Sequence, residues 1–267
     1  MISLVQLLRE AQGNPKAVIL AGAPGAGKGY ILRGLDLGGL KTMNVDDIYV
    51  PLLKKANITL DLKNATPEER SEQAKQMAAA NKQFKGELEQ VIAGRESFIL
   101  DGTAASYKKT AELKSELEEA GYDTFMLYVY TDLERSLSQN QDRYVKSGGK
   151  DRSLAPAIVM RTWKSVTDNL PKYEELFGNN FVAVANTLDD RMQDIDKIIQ
   201  KYLKPFTPQG TKPKTPAQQK KSDERKAKDK EEIQAMLADD FIYDVIEYTM
   251  SKEEAQMRLK QFLSKWV

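Results

Sequence analysis

The chain of 267 residues contains no cysteine and no histidine. Without cysteine, disulfide bonds, thiolate metal sites and a cysteine nucleophile are excluded. Without histidine, Ser-His-Asp catalysis and histidine-ligated zinc are excluded as well. Any general base in this protein must therefore be an aspartate, a glutamate, a lysine or a tyrosine.

The sequence also lacks a large excess of one charge and a long hydrophobic run. Its formal net charge is +1, so no global field attracts nucleic acid or an acidic membrane surface. No apolar stretch approaches the roughly 20 residues that a membrane-spanning helix needs. Residues 1–10 include Arg9 and Glu10 and are typical of an amphipathic helix, not of a signal peptide. We therefore expect a cytoplasmic protein that contacts no membrane.

Short apolar segments alternate with segments of helical periodicity along residues 1–204. A long helix is expected after Thr66, because Pro67 suits the first helical position and Glu69 completes a capping box. The alternation predicts an α/β fold with three layers, α/β/α, around a five-stranded and mostly parallel sheet. The predicted strands are 16–21, 41–45, 97–100, 124–130 and 181–185.

The composition changes after Lys204. Residues 205–221 are rich in proline and lysine, which indicates a flexible linker. Residues 222–267 are then expected to form a helical C-terminal extension made of two amphipathic helices. Its apolar residues imply that the extension packs on itself, on the α/β domain or on a protein partner.

A glycine-rich loop follows the first predicted strand and leads into a helix. Glycines allow several backbone N–H groups to face one anion, and the helix N-terminus adds partial positive charge. Lys28 then reaches the β- and γ-phosphates of a nucleotide as a mobile point charge. This Walker A loop predicts a P-loop NTPase fold that binds ATP. Its pattern, G-x-x-x-x-G-K, is matched completely by Gly22, Ala23, Pro24, Gly25, Ala26, Gly27 and Lys28.

Gly29 follows Lys28, where a serine or threonine usually ligates Mg²⁺. The ion must then be held by phosphates, water and acidic residues elsewhere, or through the hydroxyl of Tyr30. This departure favours kinases of small substrates over mechanical ATPases. We assign Gly29 and Tyr30 to the ATP-binding set, together with Asn186, which follows the fifth strand and is expected to contact adenine.

Acidic residues follow the second and third predicted strands, at the sheet edge where parallel sheets bind ligands. We expect Asp46 to orient and deprotonate an acceptor hydroxyl, unless Asp46 or Asp47 merely caps the next helix. Asp101 is expected to hold Mg²⁺, a Mg²⁺-bound water or a substrate hydroxyl, unless it only forms a turn. Asp47, Thr103 and Arg152 are assigned to the same acceptor or Mg²⁺-water set.

Several arginines and lysines lie on a helix and a glycine-rich loop within residues 134–152. P-loop kinases close an arginine-bearing lid over the transferring phosphate, and this segment is the candidate. Arg143 is our first choice for a catalytic arginine and Arg152 our second. The alternative for either residue is a place on a solvated helix face.

Taken together, these motifs resemble the zeta-toxin and polynucleotide-kinase-like group of P-loop kinases. Residues 44–47, Asn-Val-Asp-Asp, match the motif that follows the group's second strand, so the group's catalytic acid falls on Asp46. Its third-strand acid, followed by Gly-Thr, falls on Asp101, and its lid arginine falls on Arg143. Residues 122–186 are also similar to zeta-like kinases found in bacteriophage genomes.

Some positions depart from the group's pattern. Gln139 stands where the group has the first arginine of its lid pair, and Tyr49 replaces an arginine that often follows the two aspartates. Adenylate kinase is a second resemblance. Residues 22–29 and 98–102 are similar to its phosphate loop and third-strand motif, but the arginine that follows the latter is missing.

The resemblance implies a phosphotransferase that uses ATP and Mg²⁺ and has an alcohol group as acceptor. The acceptor is expected to be a nucleotide sugar, a nucleoside or the end of a nucleic acid. A nucleoside monophosphate kinase is one alternative, and a non-catalytic nucleotide-binding module that recruits a protein partner is another. The resemblance to phage kinases implies the host cytoplasm if the protein is phage-encoded.

Lys28→Met removes the cation expected at the phosphates. Because a hydrogen bond to a charged group contributes about 1.5–3 kcal/mol, we expect ATP affinity to fall about 10- to 150-fold. Isothermal titration with ATP and Mg²⁺ measures this change, with Lys85→Met as the control. Full affinity and activity in Lys28→Met would contradict the assignment of the loop.

Overall fold

The computed structural model describes residues 14–32, 40–62, 65–186, 215–238, 249–251, 253–255, 257–258 and 261. The strands in these ranges are β1 (Lys16–Ala21), β2 (Lys41–Met43), β3 (Phe98–Asp101), β4 (Asp123–Tyr130) and β5 (Phe181–Ala185). The α-helices are α1 (Lys28–Leu32), α2 (Asp46–Lys55), α3 (Pro67–Ala93), α4 (Tyr107–Glu119), α5 (Leu133–Lys146), α6 (Pro156–Asp168), α7 (Leu170–Phe177) and α8 (Pro216–Ala238).

The described strands form one parallel sheet in the order β2-β3-β1-β4-β5. β1 lies in the centre, pairs with β3 and β4, and is buried along its whole length. A run of apolar residues without alternation suits a strand covered by helices on both faces. The predicted α/β/α fold is confirmed, and the sheet predicted as mostly parallel is parallel throughout these strands.

Two hydrophobic clusters fill the layers on the two faces of the sheet. Successive side chains of β1 alternate between them, with Ala17 and Ile19 in one cluster and Val18 and Leu20 in the other. Trp163 belongs to the larger cluster and donates its Nε1–H to the Thr131 carbonyl oxygen at 2.7 Å. The clusters fix the strands, so the residues beyond their carboxyl ends lie on a rigid base.

The segment between β2 and β3 has a hydrophobic cluster of its own. Tyr49 and Leu53 of α2 pack there with Ala80 of α3. The predicted capping box begins α3, because Thr66 Oγ1 accepts the Glu69 N–H at 3.2 Å and the Glu69 carboxylate accepts the Thr66 N–H at 2.7 Å. The helices α2 and α3 therefore form a unit beside the main core.

The helix predicted over 157–170 is α6, and a further helix, α7, which was not predicted, follows it. α6 ends at Asp168 and α7 begins at Leu170, with Pro171 in its first turn. Proline is tolerated in a first turn but not inside a helix, which explains the break. Among the described residues, no helix is both long and apolar enough to cross a membrane. The helices predicted over 1–10 and 191–202 lie outside the described residues.

α8 begins inside the segment that we predicted as linker. Residues 216–221 are helical, because Thr215 Oγ1 accepts the Gln218 N–H at 3.3 Å and the following residues favour a helix. Helix α8 therefore begins six residues before the predicted extension, and residues 205–214 lie outside the described residues. The division into domain 1–204, linker 205–221 and extension 222–267 stays a prediction.

A short C-terminal stretch lies against the edge of the sheet. The Met250 N–H donates to the Ala183 carbonyl oxygen at 2.9 Å, and Met250 pairs with Val184 in a parallel bridge. Ala255 is buried in the smaller sheet cluster. Among the alternatives for the extension, these contacts favour packing on the α/β domain.

Ala255→Asp places a carboxylate against the sheet cluster. We expect the free energy of unfolding to fall by at least about 2 kcal/mol, because a buried charge without a partner is costly. Urea denaturation measures the change. Ala227→Asp, on an exposed position of α8, is the control and should change stability by less than about 0.5 kcal/mol. Equal, small effects in both variants would contradict this docking.

Candidate functional site

The glycine-rich loop runs from β1 to α1 and passes close to β4 and α5. Gly22 and Gly25 have φ angles of 146° and 80°. A Cβ atom at Gly22 would lie 2.5 Å from the Val129 carbonyl oxygen, and one at Gly25 would lie 2.8 Å from that of Ser136. No side chain fits at such distances, so packing as well as backbone conformation requires glycine at both positions.

Helix α5 holds the loop from one side. Ser136 Oγ donates to the Pro24 carbonyl oxygen at 2.6 Å. In the amide orientation that satisfies its neighbours, Gln139 donates to the Gly25 carbonyl oxygen at 3.0 Å and accepts from Arg135 Nε at 3.1 Å. Gln139 therefore contacts the phosphate loop, although it stands where the zeta-toxin and polynucleotide-kinase-like group has the first arginine of its lid pair. The loop is braced before a nucleotide binds.

Asn186 holds the loop from the β5 side. Its side-chain Nδ2 donates to the Ala26 carbonyl oxygen at 2.8 Å. The backbone carbonyl oxygen of Asn186 accepts from Thr131 Oγ1 at 2.9 Å. A Cβ atom at Gly27 would lie 2.4 Å from Asn186 Nδ2. The structure thus brings Asn186 to the phosphate loop, a contact that sequence reasoning missed, while its contact with adenine stays a prediction.

Lys28 lies within the loop and near the predicted catalytic residues. Its Nζ donates to the Gly22 carbonyl oxygen at 3.1 Å. The pKa of Lys28 lies below its ordinary value, mainly because the side chain is buried. The negative charges of Asp101 and Asp46 oppose this shift, and the positive charge of Arg143 adds to it. Asp101, Arg143 and Asp46 each lie near enough to Lys28 to act on its pKa.

Asn44 connects the two predicted acids. Its Nδ2 donates to Asp101 Oδ2 at 3.0 Å, and its Oδ1 accepts the Asp46 N–H at 2.9 Å. One amide therefore orients the end of β3 and the start of α2. The sequence analysis named Asn44 only within the motif of residues 44–47, because the contact joins residues 57 positions apart.

Asp46 and Asp47 do not cap α2. Val45 occupies the N-cap position without a side-chain hydrogen bond, and both aspartates lie in the first helical turn. Carboxylates are favoured there by the partial positive charge of the helix N-terminus. Asp47 is exposed. Its pKa is raised, first by partial desolvation and then by the negative charges of Asp46 and Asp101.

Arg152 contacts Asp46. Its Nη2 lies 2.8 Å from Asp46 Oδ2, and the two side chains are only 17% and 18% exposed. Arg152 Nε and Asp46 Oδ1 are buried without a hydrogen-bond partner in the part of the chain that the structure describes. The guanidinium also lies over the Tyr49 ring, 5.9 Å from its centroid. The carboxylate thus has one bonded oxygen and one that faces no partner.

The loop that carries Arg152, residues 147–154, is tied down on both sides. Asn140 of α5 donates to the Leu154 carbonyl oxygen at 2.9 Å and accepts the Leu154 N–H at 3.1 Å. Ser153 Oγ donates to Asp61 Oδ1 at 2.7 Å. Because these contacts fix the two residues that follow Arg152, they help to hold its guanidinium at Asp46.

Arg143 takes a different place. It forms an ion pair with Asp151, and its side chain is 50% exposed. Arg152, our second choice from the sequence, is thus the arginine that contacts the predicted base. Arg143 lies near enough to Lys28 to lower its pKa.

Gly29 occupies the position at which a serine or threonine usually ligates Mg²⁺. A Cβ atom there would meet nothing within 4 Å, so packing does not exclude a serine or threonine. Tyr30 is 52% exposed, and the backbone carbonyl oxygen of Thr103 accepts the Gly22 N–H at 3.1 Å.

Groups of three or more acidic side chains that could hold a metal are absent from the described ranges. Nucleotide-bound Mg²⁺ needs only one or two carboxylates, so Asp101 fits such an ion.

The family model for zeta toxin matches residues 4–199, a range that includes the phosphate loop and all five strands. The chain belongs to the zeta toxin family. The resemblance drawn from the motifs is thereby confirmed. This zeta toxin family protein is a P-loop kinase with a nucleotide-binding loop.

Solved structures also resemble this zeta toxin family protein. One comes from the PezAT chromosomal toxin-antitoxin system of Streptococcus pneumoniae, with 16% identity, coverage of 85% of this chain and 88% of the other, and a TM-score of 0.49. Another is AvrRxo1-ORF1:-ORF2 with ATP, with 15% identity, coverage of 100% and 85%, and a TM-score of 0.49. A comparison with curated proteins gives no match.

Asn186→Ala removes the amide that holds the Ala26 carbonyl oxygen. Since this contact shapes the phosphate loop, we expect the affinities for ATP and for inorganic triphosphate to fall by the same factor, roughly 3- to 10-fold. Competition titrations measure both, with the exposed Asn180→Ala as the control. A loss confined to ATP would mean that Asn186 acts through adenine instead.

Proposed function

We propose that this zeta toxin family kinase transfers the γ-phosphate of ATP to an acceptor hydroxyl, with Asp46 as the general base. The acceptor is a nucleotide sugar, a nucleoside or a nucleic-acid end. One observation carries the proposal: Arg152 binds one oxygen of Asp46, whereas Oδ1 is buried and unpartnered among the described residues. A carboxylate fixed in this way can accept a proton from a bound hydroxyl.

The transfer itself requires little covalent help from the protein. The loop N–H groups and Lys28 hold the β- and γ-phosphates. Asp46 Oδ1 accepts the proton of the acceptor hydroxyl, whose oxygen bonds to the γ-phosphorus. The bond from the γ-phosphorus to the β–γ bridging oxygen breaks, and ADP leaves.

Charge is neutralised by cations that surround the phosphates. In this proposal Arg143 exchanges Asp151 for the transferring phosphate, which the weakness of an exposed ion pair allows. Asp101 would hold Mg²⁺, directly or through water, and Asp47 and Thr103 complete the set assigned to the acceptor or to Mg²⁺-bound water. Mg²⁺ supplies charge stabilisation at the β- and γ-oxygens when it is bound.

The proposal is tested with labelled ATP and a panel of acceptors. The panel holds UDP-N-acetylglucosamine, nucleosides, nucleoside monophosphates and 5′-hydroxyl oligonucleotides. Transfer to a hydroxyl supports the proposal. Transfer only to the phosphate of a monophosphate would indicate a nucleoside monophosphate kinase, and tight ATP binding without transfer would indicate a non-catalytic module.

Asp46→Asn keeps the shape of the side chain but removes its basicity. We expect turnover to fall about 10²- to 10⁴-fold, the usual contribution of a general base, while ATP affinity stays within about twofold. Rates come from the labelled-phosphate assay and affinities from titration. Asp142→Asn, exposed on α5, is the control, and near-normal turnover in Asp46→Asn would remove Asp46 from the mechanism.

A further inference from the structure

Gln73 of α3 has a buried amide that no protein group satisfies. The residue is 8% exposed, and its Nε2 has no hydrogen-bond partner within the described ranges. Its backbone carbonyl oxygen accepts from the Tyr49 hydroxyl at 3.4 Å. An unbonded amide in a buried place lowers stability, so folding alone gives no reason for a glutamine here.

Two other residues that border Tyr49 also carry a buried, unsatisfied side-chain atom. Gln73 Nε2, Arg152 Nε and Asp46 Oδ1 are three of the four buried, unpartnered side-chain atoms in the described residues. The Tyr49 hydroxyl donates to the backbone carbonyl oxygen of Gln73, the Tyr49 ring faces the Arg152 guanidinium, and Asp46 lies one turn before Tyr49 on α2. The fourth atom, the Tyr130 hydroxyl, belongs to the main core.

The chemistry of these atoms is complementary to an oxygen-rich molecule. Gln73 Nε2 and Arg152 Nε are hydrogen-bond donors, whereas Asp46 Oδ1 is an acceptor. A hydroxyl group satisfies the acceptor, and oxygen atoms beside that hydroxyl satisfy the two donors. A protonated amine would leave both donors unpaired.

We propose that Gln73 is a specificity-determining residue of the acceptor site, where it donates to an oxygen atom beside the reacting hydroxyl. The inference rests on the proposed function, because Asp46 must face that hydroxyl. Gln73 thus restricts acceptors to those that carry oxygen atoms next to the hydroxyl. Its position on α3 assigns part of the acceptor site to the unit that α2 and α3 form.

Gln73→Met tests the inference, since methionine keeps the length of the side chain and removes the amide. We expect the melting temperature to stay the same or to rise, because an unsatisfied polar group is lost. Titrations in the presence of ADP use UDP-N-acetylglucosamine, uridine, UMP and a 5′-hydroxyl oligonucleotide as probes. The probe that the native chain binds should bind at least about tenfold more weakly, with ADP affinity unchanged.

Gln83→Met, at an exposed position of the same helix, is the control and should alter none of these quantities. A lower melting temperature in Gln73→Met, unchanged probe affinity, a parallel loss of ADP affinity, or no probe bound by the native chain each overturns the inference. Phosphate transfer that Gln73→Met leaves intact would overturn the inference but not the proposed function. Probe binding that depends on Gln73, without transfer, would overturn only the proposed function.

Discussion

The ion pair between Arg152 and Asp46 is the contact on which the arrangement of the site depends. It joins residues 106 positions apart and brings the loop after α5 to the start of α2. Both side chains are largely buried, so the attraction is screened less than at the surface, and loss of either partner leaves a charge in a poorly solvated place. The Asn140–Leu154 and Ser153–Asp61 contacts are consistent with this role, because they fix the two residues that follow the arginine.

The phosphate loop is the second rigid part of the site, because side chains from outside the loop hold it in place. Ser136, Gln139 and Asn186 bond three of its carbonyl oxygens, so the loop needs little rearrangement to receive an anion. A site organised before binding loses less conformational entropy when the ligand arrives. The same helix, α5, holds the loop at one end and leads into the segment with Arg152 at the other. The phosphate loop and the proposed acceptor site therefore share one helix.

The sequence was sufficient for the parts of the fold that depend on local signals. The five strands and the phosphate loop follow from apolar runs and glycine spacing, which act within a few residues. The choice between Arg143 and Arg152 could not be made in this way, because it depends on the path of residues 147–154. Asn186 as a brace and Gln73 as a buried amide were likewise missed, since their surroundings come from distant segments. Helix α7 was not predicted, although Pro171 in its first turn is a local signal for the start of a helix.

The central claim, that Arg152 holds the proposed base Asp46 in place, is tested most directly by a double-mutant cycle. Asp46→Asn, Arg152→Gln and the double variant are compared by urea denaturation. Because each single change leaves the other group buried without its partner, the account predicts a coupling free energy of about 1–3 kcal/mol, with the double variant less destabilised than the sum of the single changes. Additive effects, within about 0.5 kcal/mol, would contradict it.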